Sequence, residues 1–211
     1  MTRESVAAPS FWTTRRVRLA GTAGLVGGVG WALLAAVSYA AGANVFTPTT
    51  RSYAVLDALT PLALLLATVA VAAYRARTEP RWNRLAAVGF VALLVGLAGA
   101  TVGTAASALG AVAGPEGWTL SLVGWEVSAF AYLLALLGAA AFGVGLLQGE
   151  VPPRVAAVSL AGALPVGALV SLGLGVAVGD EAVVPVGPAL LLGAGVAALG
   201  RFLRTGREIE K

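Results

Sequence analysis

Charge-free, strongly apolar runs occupy residues 19–50, 58–74, 85–115, 127–149, 155–179 and 182–200, with short polar stretches between them. Each is close to or beyond the roughly 17–25 apolar residues that carry an α-helix across a bilayer. The pattern predicts an all-α membrane protein, a six-transmembrane-helix bundle forming a single domain over 1–211. Its helices are expected at about 17–41, 53–74, 84–106, 118–147, 154–178 and 183–203. The third run exceeds one bilayer, and Gly110, Gly114, Pro115 and Gly117 near its end predict an early exit. Pro165, which lacks an N–H and crowds the preceding turn, predicts a kink in the fifth helix. Tyr53 and Tyr74 bracket the second helix as an interfacial pair.

Charge gives this pattern a direction. All but Arg51 of the 14 basic residues fall before the first run, between the second and third, between the fourth and fifth, or after the sixth. The alternate connections carry Glu116, Asp180 and Glu181. Under the positive-inside rule both termini are expected to be cytoplasmic, in a multi-pass protein of the cell membrane. Arg15 and Arg16 before the first run suggest a signal peptide, but Leu19 to Ala43 is longer than the 7–15 apolar residues of a secretory core. An uncleaved first helix is the expectation.

At 58% hydrophobic and 11% charged residues, the chain has too little polar surface for a soluble globule of this size. Its pI near 10.1 invites a nucleic-acid reading. The bases sit instead in short clusters at membrane edges, where they match anionic headgroups, so no nucleic-acid partner is expected. There is no cysteine and no histidine, which excludes disulfides, thiolate metal sites and the usual haem and zinc ligands. The one lysine, Lys211, lies outside every expected span, so a retinal Schiff base has no residue to form on. A P-loop, a GxSxG elbow and an HExxH motif are all missing. The chain is expected to be no enzyme and to hold no cofactor or metal.

Asp57 and Glu126 are the ionisable residues that fall within the outer part of the expected spans. At a rise of ~1.5 Å per residue, Asp57 lies about 6 Å beyond Tyr53 and Glu126 about 12 Å beyond Trp118. Charge within hydrocarbon is costly, so such residues normally face a bundle interior and mark a pathway. On that reading Asp57 and Glu126, with Thr60, Trp125 and Arg51, form an outer site for a proton or ligand. On the other reading Asp57 pairs with Arg51 or caps its helix, and Glu126 reaches the headgroups. Asp57, Thr60, Pro61, Leu64 and Thr68 form one stripe, and Trp118, Ser121, Trp125, Ser128 and Tyr132 another. These stripes either line a cavity or pack, with hydroxyls bonded to their own helix.

Small residues four apart, Gly24 and Gly28, Gly99 and Gly103, Gly175 and Gly179, and Ala189, Gly193 and Ala197, predict close helix approach. The third helix is expected to pack centrally through Gly96, Gly99, Gly103 and Ser107. The leads PSFWTTRRVRLAG, EPRWNRLAAVG and VPPRVAAVSLAG resemble one another, as three tandem hairpins would. Residues 137–166, LGAAAFGVGLLQGEVPPRVAAVSLAGALPV, carry a Gly-rich helix end, a short polar turn, Pro-Arg and a small-residue helix start. This segment resembles one found in uncharacterised six-helix integral membrane proteins of actinobacteria and related prokaryotes. The resemblance implies the topology and brings no activity with it. The expected function is that of a structural, accessory or sensory membrane component, the alternative being a small-solute or proton-coupled transporter using Asp57 and Glu126. The expected partners are membrane lipids and a second copy or another membrane protein.

Overall fold

A computed structural model describes residues 11–40, 51–179 and 185–205, with the backbone alone at 51–57, 80 and 178. The described residues form α1 (Thr14–Ala40), α2 (Arg51–Thr78), α3 (Arg84–Val112), α4 (Trp118–Gln148), α5 (Arg154–Gly162), α6 (Pro165–Val178) and α7 (Val186–Thr205), with no strand among them. Short 3-10 turns at Glu79–Arg81 and Gly114–Gly117 join α2 to α3 and α3 to α4. Five helices are long and apolar enough to cross a membrane, and six spans result if the bent pair α5–α6 counts as one. The chain is an all-α bundle whose apolar helices point to a multi-pass membrane protein.

Glycine sets the packing of α3 on α4. Gly89, Gly96, Gly103 and Gly110 recur every seven residues along α3, and Gly124, Gly138 and Gly145 keep the same phase along α4. The two helices run antiparallel with these glycines interleaved: Gly89 lies against Phe142, Gly96 against Ala135, Gly103 against Ser128 and Gly110 against Ser121. From the other side Gly124 meets Ser107, Gly138 meets Leu93 and Gly145 meets Ala86. A Cβ at Gly103 would stand 2.5 Å from the Ser128 backbone nitrogen, so only hydrogen fits there. Lipid tails are as apolar as leucine, so helices in a membrane gain little by hiding side chains from them. Close backbone contact, which multiplies dispersion and Cα–H···O contacts, supplies the attraction instead.

The first and last helices repeat this construction. Gly21 and Gly28 of α1 lie against Arg204 and Ala197 of α7, while Gly200 and Gly193 of α7 lie against Leu25 and Ala32 of α1. Gly27 turns to the remaining side of α1 and meets the α2 backbone at Ala63 and Ala67. α7 thereby becomes the most buried span, packed on α1, α2, α5 and α6. The centre expected for the third helix belongs to α7. α3 does bury Gly96, Gly103 and Ser107, but on α4, with α2 as its other neighbour.

Four local expectations change. α3 does not end near 106 but continues to Val112, because Gly110 is buried against Ser121 and serves the seam instead of ending the helix. The turn that follows needs Gly114, whose φ of +70° lies in the left-handed region. Tyr74 is no headgroup anchor: its side chain is fully buried in the core. At Pro165 the expected kink is a break, with α5 and α6 meeting at 57°. Pro165 begins α6, the position where a missing N–H costs nothing. Of the four-residue glycine rows, Gly175 and Gly179 contribute no close approach at Gly179, which caps α6 at φ +73° in open space.

Beyond the break, α6 leans on α7 through Gly167, which faces Gly187 and Pro188. The Ser171 hydroxyl accepts the backbone N–H of Gly187 at 2.9 Å, a donor in the first turn of α7 that has no partner within its own helix. In hydrocarbon such a donor is expensive to leave bare.

The seam makes a paired expectation. Gly103→Leu overpacks α3 on α4 and is expected to cost about 1–3 kcal/mol, or a melting temperature several degrees lower in detergent. Gly173→Leu, where a Cβ meets nothing within 4 Å, leaves the melting temperature unchanged. Ser171→Ala is expected to cost about 1–2 kcal/mol, as loss of a helix cap does, and Ser171→Thr to restore most of it. Unfolding in a denaturing detergent series measures both.

Candidate functional site

The residues singled out in the sequence are only partly brought together. α2 packs on α1, α3 and α7, and α4 on α3 and α5, so α3 stands between the two polar stripes. Glu126 is exposed on α4, beside exposed Val123, Val127 and Phe130 on the face turned away from the α3 seam. Thr60 and Trp125 are half-buried. The side chains of Asp57 and Arg51 lie outside the described residues.

Two hydroxyls of the stripes bond within their own helices. Thr68 Oγ1 donates to the Leu64 carbonyl at 2.7 Å, and Ser128 Oγ to that of Trp125 at 2.7 Å. Ser121 and Ser128 are also the residues that sit over Gly110 and Gly103 of the seam, so the α4 stripe serves packing along much of its length. Tyr132 is the member that reaches inward. Its ring meets the edge of Trp31 of α1 at 5.4 Å between centroids, and its buried hydroxyl has no hydrogen-bond partner among the described residues. The expected stripe contained Tyr132, but a helical wheel has no means of pairing it with Trp31 on a helix a hundred residues earlier.

The other end of the bundle, where the arginines gather, is closed by aromatic side chains. Tyr74, Trp82, Phe90, Phe142 and Phe202 come from α2, the α2–α3 turn, α3, α4 and α7. Trp82 lies 4.9 Å from Phe90 and 5.3 Å from Phe142 between ring centroids, and Tyr74 lies 6.0 Å from both Phe142 and Phe202. Tyr74 donates its hydroxyl to the Pro152 carbonyl at 2.5 Å, which ties α2 to the α4–α5 turn. Thr78 Oγ1 donates to the Tyr74 carbonyl at 2.8 Å and accepts from the Trp82 indole N–H at 3.0 Å. The Asn83 side chain accepts from the Ala86 N–H at 2.8 Å and donates to Gln148 at 3.1 Å, fixing the start of α3 beside the end of α4.

The α4–α5 turn itself is held by its backbone. The N–H of Val151 reaches the Leu146 carbonyl at 2.9 Å and that of Glu150 the Leu147 carbonyl at 3.2 Å, with Glu150 at φ 51° in the place glycine usually takes. On the solvent side of this end, Arg75 and Glu79 form an exposed ion pair whose hydrogen bond holds the Glu79 carboxyl below its usual range.

Among the described residues no three carboxylates gather into a group able to hold a metal ion. Chemically, this arrangement packs and seals. It presents one orphaned phenol near mid-bundle and a ring of arginines around an aromatic plug. No known protein family, no curated protein and no solved structure matches the chain.

Proposed function

We propose that the chain is a structural or accessory component of the cytoplasmic membrane, without catalytic activity, with both termini in the cytoplasm. The observation that carries this reading is the aromatic plug. Fully buried Tyr74, hydrogen-bonded across to Pro152 and ringed by Trp82, Phe142 and Phe202, occupies the space that a conducting pathway would need at the arginine-rich end. A seam in which even a methyl group clashes with the opposite backbone leaves no room for a channel between α3 and α4. The exposure of Glu126 on α4 supports a carboxylate that meets headgroups and not a bundle interior. Lipids and a further membrane protein, or a second copy of this chain, are the partners of such a component.

The transporter reading using Asp57 and Glu126 is favoured by one observation, the 57° break between α5 and α6. Discontinuous helices line substrate sites in several transporter folds. The two readings make opposite demands on reconstituted protein. Proteoliposomes loaded with a pH-sensitive dye are expected to show proton flux no faster than protein-free vesicles, and Glu126→Gln to change stability by less than about 0.5 kcal/mol, as surface substitutions do. Flux that requires Glu126 would overturn the accessory reading.

Orientation has its own test, made clean by the absence of native cysteine. Arg81 and Glu116 are exposed at opposite ends of α3. In intact cells a cysteine at Glu116 is expected to react with an impermeant thiol reagent, and one at Arg81 only after the membrane is opened. Reversed labelling would invert the topology.

A further inference from the structure

An open cleft of about 580 Å³ lies between the start of α1 and the end of α7, lined by Thr14, Arg15, Arg18, Leu19, Thr22 and Arg204. Arg15, Arg18, Leu19 and Thr22 fall three and four residues apart, so they share one face of α1. Arg204 is brought to that face by the seam, because Gly21 lets the α7 backbone at Arg204 come directly against α1. The cleft is therefore a product of the packing, with guanidinium groups from two helices.

Other arginines at this end have internal tasks. Arg16 donates to the Phe11 carbonyl at 2.8 Å and lies over the Phe11 ring. Arg77 reaches the Leu203 carbonyl at 3.5 Å and lies over the Phe202 ring, and Arg75 pairs with Glu79. Arg15, Arg18 and Arg204 are exposed, and among the described residues none of them forms an ion pair. Three like charges facing one hollow repel one another, and an anion seated between them removes the repulsion. The planar guanidinium fork matches two oxygens of a phosphate at once, which makes this residue type better suited to phosphate than a lysine would be.

We propose that this cleft binds a phosphate group, and that the phosphate is the headgroup of an anionic phospholipid. The lipid source is favoured by what adjoins the cleft. Leu19, in its wall, is 61% exposed and begins a row with Val26 at 58% and Leu33 at 59%, each seven residues further along α1. This apolar row leads from the charged hollow down the outer side of the span, the path an acyl chain follows when its headgroup is held at the end. Basic hollows between helices on the positively charged side of a membrane protein are suited to such headgroups.

Purified protein in a neutral detergent tests this, with melting temperature followed against added lipid. Phosphatidylglycerol is expected to raise the melting temperature in a saturable manner, phosphatidylcholine to leave it unchanged, and high salt to weaken the effect. In Arg18→Gln/Arg204→Gln the half-saturating phosphatidylglycerol concentration should rise at least about tenfold, the loss expected for removing charge-assisted hydrogen bonds to phosphate. Arg154→Gln, at the same end but outside the cleft, should retain the wild-type response. If the double variant does not fold, Arg15→Gln alone is expected to weaken the lipid response severalfold. Equal stabilisation by inorganic phosphate would overturn the lipid assignment in favour of a soluble phosphate. Equal stabilisation by phosphatidylcholine, or an unchanged response in the cleft variants, would overturn the site altogether.

Discussion

The approach of two helix backbones to within the reach of a single missing methyl group is the contact on which the bundle depends. In water an amphipathic helix is driven inward by its apolar face, but a helix in lipid has no such drive. Glycine removes the side chain that holds two backbones apart, at a cost in helix propensity of about 1 kcal/mol per residue in aqueous hosts. At Gly89, Gly96, Gly103 and Gly110 of α3, and at Gly124, Gly138 and Gly145 of α4, the opposite residue settles into the space so created. The seven-residue spacing keeps that side of each helix turned to its partner over the full length, as a left-handed supercoil does.

The α1–α7 pair uses the same spacing, Gly21 and Gly28 against Gly193 and Gly200, and this closes the bundle by joining its first span to its last. From that closure follow the burial of α7, the meeting of Arg204 with the arginines of α1, and the delivery of Phe202 to the aromatic group around Tyr74. The arginine-rich end is therefore both strongly charged and tied across its turns. Its turns are fixed by Tyr74 to Pro152 and by Asn83 to Ala86 and Gln148. Around this tied region Arg16, Arg75 and Arg77 are held by protein partners, while Arg15, Arg18 and Arg204 stand exposed.

The break at Pro165 shows the opposite balance. Proline ends one helix and begins the next, and the displaced α6 keeps little contact beyond α7. Its exposed Leu169, Leu172 and Val176 suit lipid. A serine on α6 supplies the acceptor that the first turn of α7 lacks, so a hydrogen bond joins the displaced helix to its neighbour. Backbone polarity, not side-chain hydrophobicity, dictates that arrangement.

Sequence alone determined the helices, because a bilayer demands that each segment satisfy its own backbone hydrogen bonds, and hydropathy with charge flanks marks where that happens. A bend at Pro165 and the gathering of arginines were legible for the same local reasons, though not that the bend divides the helix in two. Which faces look inward was not. Leucine and valine are equally at home against lipid and against protein, so Leu93 in the core and Val88 on the outside differ only in what stands opposite. Tyr74 looked like an anchor and is core, since its place depends on Pro152 and Phe202, far away in the chain. The partnership of α1 with α7, the meeting of Trp31 with Tyr132 and the outward turn of Glu126 were decided by tertiary packing. In a membrane that packing is read from the fit of one backbone against another, and a single strand of sequence carries only one side of the fit.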